Sequence, residues 1–99
     1  MIVARVLGTV VCTQKDRKLE GAKLQLVQPV EFENFKGDGK PLVAVDAVGA
    51  GQGEIVLLVA GSSARQTENT QNTPVDSVIM AIVDSIDIDG KIIFRKESD

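Results

Sequence analysis

The sequence predicts an all-β protein: a small antiparallel, OB-like β-barrel of five to six strands with one short helix, formed by residues 1–99 as a single domain. Three observations predict it. Short runs rich in Val, Ile and Thr either alternate with a period of two or are apolar throughout, which is strand patterning. Glycine-rich turns separate these runs. A single segment, Ser62 to Gln66, reads as a helical turn, so helices cannot supply a second layer and the sheet must close on itself.

The elements follow in order. Residues 2–13 alternate, with Ile2, Ala4, Val6, Gly8, Val10 and Cys12 on one face and Arg5, Thr9 and Thr13 on the other beside Val3, Leu7 and Val11. Gly8 suits a bend at a barrel corner. Residues 14–22 are polar and end at Gly21, which reads as a solvated loop. Residues 23–30 alternate again, with Leu24 and Leu26 expected inward and Lys23 and Gln25 outward; Pro29, which lacks an N–H, ends the strand. Residues 31–41 form a charged loop around Gly37, Asp38 and Gly39. The third strand is residues 42–48, carrying Asp46, and a glycine loop (Gly49, Ala50, Gly51, Gln52, Gly53) leads into a fourth over residues 54–60. Residues 67–74 are polar and expected to be exposed. A long fifth strand spans residues 78–89, and Asp89-Gly90 is a strong hairpin signal before the returning Ile92, Ile93 and Phe94. The tail from Arg95 is polar.

Composition narrows the chemistry. Eleven basic and fourteen acidic residues give a net charge of −3, the wrong sign for a protein that grips phosphate backbones. There is no His, Trp or Tyr and a single Cys, which removes the commonest general base, the commonest zinc ligand and any disulfide framework. No cofactor is expected. No apolar run reaches the ~18–20 residues of a membrane span and no signal sequence is recognisable, so the expected location is the cytoplasm, with Cys12 reduced. Cys12 reads as a small core residue, having no cationic neighbour to make a thiolate.

The candidate sites are weighed against structural roles. The glycine loop lacks the spacing of a phosphate-binding loop and precedes a strand, so its glycines serve positive φ or close approach. Ser62 and Ser63 lack a histidine base, and the structural role is a helix cap. Arg65 paired with Asp76 or Asp46 would order that turn. Asp84, Asp87 and Asp89 miss the spacing of a calcium loop. Lys15, Arg17 and Lys18 form a small basic patch, but the only aromatics are Phe32, Phe35 and Phe94, too few for a base-stacking surface.

Two strands, residues 55–60 and 78–83, are apolar on both faces, whereas a barrel strand has one face inward. Either the short helix and the loops cover the outer faces, or neighbouring subunits do. With one short helix available, subunits are the favoured cover.

At this point residues match a family. The run Val6-Leu7-Gly8-Thr9-Val10-Val11-Cys12-Thr13-Gln14-Lys15 resembles the first strand of bacterial microcompartment vertex proteins, the EutN/CcmL family. Val45-Asp46-Ala47-Val48-Gly49-Ala50-Gly51 resembles that family's Asp-x-x-Gly-Ala-Gly stretch, and Gly61-Ser62-Ser63-Ala64-Arg65-Gln66 its Gly-Ser-Ser-Ala-Arg-Gln segment. Pro74-Val75-Asp76 and Ala81-Ile82-Val83-Asp84 follow in the same order; residues 31–41 resemble it least. The resemblance implies a structural, non-enzymatic homopentamer that caps the vertices of a polyhedral shell, next to hexameric shell proteins and without nucleic acid or membrane. It implies shell contacts at Gly49, Ala50, Gly51, Ile82, Val83 and Asp84, and at Lys15 and Arg17, where the family's first loop also approaches the shell partner. Ser62, Ser63, Arg65 and Asp76 are expected to order the turn or to lie between subunits. The rival readings are a stand-alone OB-like barrel for a ligand or nucleic acid, and a serine hydrolase.

Overall fold

The computed structural model describes residues 1–61 and 76–96. Seven strands lie within them: β1 (Ile2–Val10), β2 (Leu24–Pro29), β3 (Leu42–Asp46), β4 (Ile55–Ala60), β5 (Ser77–Ile82), β6 (Ser85–Ile88) and β7 (Lys91–Arg95). The first five close a barrel in the order β1-β2-β3-β5-β4, and β6 and β7 form a separate hairpin. The all-β barrel is thus as predicted. The helical turn expected at Ser62 to Gln66 lies outside the described residues; among the described residues a 3₁₀ turn, Arg17–Leu19, sits in the loop after β1, capped by the Asp16 carboxylate accepting from Lys18 N–H.

One seam differs from the antiparallel expectation. β3 and β5 run parallel, pairing Val45 with Val78 and Asp46 with Ile79. Parity demands it, because five strands of alternating direction cannot close without one like-directed pair. The parallel seam is short, and the Ser77 hydroxyl reinforces it by donating to the Val43 carbonyl at 2.8 Å. A further consequence is that the segments leaving β1, β3 and β5 all leave from the same end of the barrel, while the β2–β3 and β4–β5 connections occupy the other.

The expected inward faces of β1 and β2 need correction. A register shift between Val6 and Gly8 inserts Leu7 as an extra residue. Ala4 and Val6 are buried as expected, but past this bulge Thr9, not Gly8, lies opposite Gln25. The strand ends at Val10, leaving Cys12 half-buried in the following loop. On β2 the alternation is reversed: Gln25 and Val27 are buried and Leu24 and Leu26 half-exposed. A one-residue offset exchanges every side chain between faces. It is tolerated because the Gln25 amide is satisfied inside the barrel. Its Oε1 accepts from Thr9 Oγ1 at 3.0 Å, and its Nε2 donates to the Ala50 carbonyl at 2.7 Å and to Asp46 Oδ2 at 3.2 Å.

The predicted long fifth strand is two strands. β5 ends at Ile82, Val83 N–H donates to the Ile55 carbonyl at 2.8 Å, and the chain turns off the barrel into β6. Asp89 and Gly90 have φ of 52° and 80°, the pair of left-handed residues that a two-residue hairpin turn requires. This hairpin answers the question of the two-faced strands. The main core joins Ala4, Val6, Val27, Ala44, Ala50, Val56, Leu58 and Ile79 inside the barrel. On the outside, Ile55 is only 2% exposed, because Val3 and Val30 bury it together with Phe35, Ile86 and Phe94. The Phe35 and Phe94 rings meet at 5.5 Å, tilted by 45°. Val78 is covered by Val45, Leu24, Ala47 and Val59. The expectation that sister subunits must cover both strands is therefore corrected at Ile55, which the hairpin and Phe35 of the same chain cover, and at Val78, which side chains of the neighbouring strands and Ala47 cover. Val43, Met80 and Leu7 remain more than a third exposed on the barrel wall.

Candidate functional site

The glycine loop after β3 is built around one acid. The Asp46 side chain is fully covered. Its Oδ1 accepts from Val48 N–H and Gly49 N–H, each at 2.9 Å, and its Oδ2 from Ala50 N–H at 2.8 Å. Gln25 Nε2 approaches the same Oδ2, and Lys23 Nζ lies 3.6 Å from it. Burial pushes the carboxyl upward, but hydrogen bonds from Val48, Gln25, Gly49 and Ala50 outweigh it and hold the group below its ordinary range. Three successive loop N–H groups converge on one carboxylate only if the chain curls tightly, and Gly49 supplies the φ of +77° that this needs.

Ala50 is 1% exposed and packs into the main core. Its methyl closes the barrel end, and its carbonyl accepts the Gln25 amide. The loop's outer surface is therefore made by Val48, Gly49, Gly51 and Gln52, not by the Ala50 side chain.

Glu54 completes the loop. Its Oε1 accepts from Gly51 N–H at 2.6 Å, and its Oε2 lies 2.7 Å from Lys96 Nζ. Lys96 N–H in turn donates to the Asp84 carbonyl at 2.7 Å. Hydrogen bonds from Lys96 and Gly51 lower the Glu54 carboxyl pKa. Gly51 and Asp84, far apart in sequence, are thereby joined through two side chains.

The residues singled out from sequence fall as follows. Gly49, Gly51 and Asp84 are exposed; Ile82 and Val83 are half-buried, Ile82 against the main core and Val83 against the cluster around Ile55. Lys15 and Arg17 are exposed in the loop leaving β1, at the same barrel end as residues 49–51. Lys15 Nζ donates to the Cys12 carbonyl at 3.2 Å, and a depression of about 380 Å³ separates the turn at Lys18 to Lys23 from Val45 to Ala47. Ser62, Ser63 and Arg65 lie outside the described residues. Asp76 is at the opposite end, its carbonyl accepting from Gly61 N–H at 2.7 Å. Lys23 and the loop N–H groups surround the Asp46 carboxylate; the expected pairing of Arg65 with Asp46 or Asp76 lies outside the described residues.

Sequence reasoning missed Gln25, Glu54 and Lys96 as builders of this end. The signal for Asp46 was present: an acid two to four residues ahead of a glycine pair can collect the intervening N–H groups. Among the described residues no three His, Cys, Asp or Glu side chains converge as a metal site. Of the aromatics, Phe35 and Phe94 are packed together and Phe32 is 52% exposed, which leaves no stacking platform for bases.

The comparisons with known proteins agree with one another. The family described as "Ethanolamine utilisation protein EutN/carboxysome" matches residues 1–84. The chain is 43% identical to the bacterial microcompartment shell vertex protein EutN of Salmonella typhimurium, over 97% of this chain and 96% of that one. It is 42% identical to the carboxysome shell vertex protein CcmL of a Nostoc species, over 98% and 96%. The solved Nostoc CcmL structure superposes with a TM-score of 0.91 at 45% identity, covering 97% of this chain and all of that one. The pentameric microcompartment shell protein GrpN of Rhodospirillum rubrum superposes with a TM-score of 0.77 at 42% identity, covering 89% and 100%. These relatives are named as structural shell components and not as enzymes. Similar over nearly its whole length and folded in the same way, the chain belongs to the EutN/CcmL family.

Proposed function

We propose that the chain assembles as a homopentamer that caps the vertices of a bacterial microcompartment shell, seated among hexameric shell proteins. The observation that carries this reading is the 43% identity to a shell vertex protein across 97% of the chain. The pentameric GrpN structure, with the same fold, supports the subunit number. Geometry supplies the need: a sheet of hexagonal tiles is flat, and it closes only where pentagons are inserted. In a ring of identical barrels each subunit meets the next through two different surfaces, and a rotation that closes after five copies makes the cap. The exposed Val43, Met80 and Leu7 on the barrel wall offer apolar area for such contacts, and the exposed Asp76 a polar one.

The surface toward the hexamers is the barrel end that carries Gly49, Gly51, Ile82, Val83 and Asp84, with Lys15 and Arg17 beside it. Side-chain-free Gly49 and Gly51 let a flat neighbour approach closely, and the exposed Asp84 can accept hydrogen bonds from Lys or Arg. Ala50 acts from beneath, by holding the loop in place. The reading is tested by light scattering and by shell closure. The expected species has five times the 10.6 kDa protomer mass, and an Asp84→Lys variant is expected to keep that mass yet fail to seal shells when co-expressed with hexameric shell proteins. A monomer at micromolar concentration overturns the ring, and normal closure by Asp84→Lys removes this end from the contact.

A further inference from the structure

We propose that Glu54 is a positioning residue whose two carboxylate oxygens clamp the glycine loop to the strand returning from the hairpin, so that residues 49–51 and 82–84 present one rigid surface. That this surface is used on a shell neighbour rests on the reading above; the clamp itself does not.

The geometry is bidentate. Oε1 takes Gly51 N–H at 2.6 Å and Oε2 takes Lys96 Nζ at 2.7 Å, both in the short range of charge-assisted hydrogen bonds. The Glu54 backbone is itself fixed, since its N–H donates to the Gly51 carbonyl at 3.2 Å and its carbonyl accepts from Val6 N–H at 2.9 Å. Its side chain is one-fifth exposed and that of Lys96 under half, so the pair is partly withdrawn from solvent. The Lys96 backbone then continues the hairpin ladder to Asp84. The device is needed because a two-stranded hairpin is marginal alone, and this one is joined to no barrel strand by a ladder. Apolar packing of Ile86 and Phe94 holds its flank. Glu54 holds the point where the hairpin starts and ends, next to the glycine loop. Gly51 is also the right residue for the contact: a Cβ built there would stand 3.3 Å from Glu54 Oε1.

The test reads amide hydrogen exchange by NMR on the full-length protein. Glu54→Met keeps the side-chain length and removes both acceptors. Exchange at the Gly51 and Lys96 amides is expected to rise about tenfold, the size of one charge-assisted hydrogen bond, while exchange within β1 and β4 stays unchanged. The exchanged pair, Glu54→Lys with Lys96→Glu, restores the ion pair but gives Gly51 no acceptor, so the amide at position 96 should regain protection while Gly51 stays fast. A purely structural role for residue 54 would not separate the two amides in this way. Rates within twofold of the parent at both amides in Glu54→Met overturn the clamp. Binding of the loosened Glu54→Met ring to a hexameric shell protein is expected to weaken about tenfold; parent-like binding overturns the positioning role. If the parent itself binds no hexameric shell protein, the shell reading fails and the exchange rates alone decide the clamp.

Discussion

Replacing Asp46 by Asn changes one atom and reverses the logic of the loop. The parent carboxylate offers Oδ1 to Val48 and Gly49 N–H and Oδ2 to Ala50 N–H and the Gln25 amide. Asn has one acceptor oxygen. If that oxygen stays with Val48 and Gly49, its NH2 group faces the Ala50 N–H and Gln25 Nε2, donor against donor. Val48 and Gly49 are exposed and could turn to water, but Ala50 is sealed in the core. An unsatisfied buried donor costs about 1–3 kcal/mol, and hydrogen bonds to a charged acceptor are worth about 1.5–3 kcal/mol each. The expected loss is therefore about 3 kcal/mol, or roughly 10–20 °C in Tm for a domain of this size. Urea or thermal denaturation at fixed protomer concentration measures it, since assembly makes the midpoint concentration-dependent. The folded carboxyl titrates below its ordinary value of 3.8, so its contribution is complete above that value and disappears as pH falls through the lower folded pKa. The gap between parent and Asp46→Asn should be full at pH 7 and shrink below about pH 4. A difference under ~0.5 kcal/mol at pH 7, the size of an ordinary surface substitution, refutes the reasoning; so does a gap that persists unchanged in acid.

Four further variants have expected outcomes. Ala50→Asp places a carboxylate in the main core, and the protomer should fail to fold, read as loss of soluble protein or of a cooperative transition; Ala50→Leu should fold but lose about 1–3 kcal/mol by overpacking. Gln25→Leu leaves the buried Ala50 carbonyl without its partner and should cost about 1–3 kcal/mol in urea denaturation, although it makes the strand more apolar. Phe94→Ala removes the ring that packs on Phe35 and covers Ile55, and should cost about 2–4 kcal/mol; hydrogen exchange should quicken first at Val83 and along β6, where the hairpin leaves the barrel.

How much could be read in advance differs between elements. The hairpin turn was legible because Asp89-Gly90 is a local solution to a local problem: two left-handed residues joining two β-branched runs. The barrel was legible from the number and shortness of the apolar runs. The inward faces of β1 and β2 were not. The Leu7 bulge depends on how β1 meets β2, and nothing in residues 2–13 alone marks the extra residue. Gln25 looks like a surface residue until its three partners, contributed by Thr9, Asp46 and Ala50, are brought round it. The break of the long fifth strand at Val83 depends on Ile55 of the neighbouring strand β4, whose carbonyl takes the Val83 N–H. At the candidate site the glycine loop and the Ile82-Val83-Asp84 stretch could be picked out by resemblance, but not the burial of Ala50 or the tie through Glu54 and Lys96.

The amino-acid sequence alone determined the all-β class, the closed small barrel, the terminal hairpin and the family resemblance, because alternation, turn residues and ordered motifs are properties of neighbours along the chain. The tertiary structure decided which side of each strand faces inward, the parallel seam between β3 and β5, what covers Ile55 and Val78, and which polar groups meet at the barrel end. Those outcomes depend on partners distant in sequence: a polar side chain is buried at little cost only where folding delivers its hydrogen bonds, and a chain segment cannot specify by itself what folding will bring to it.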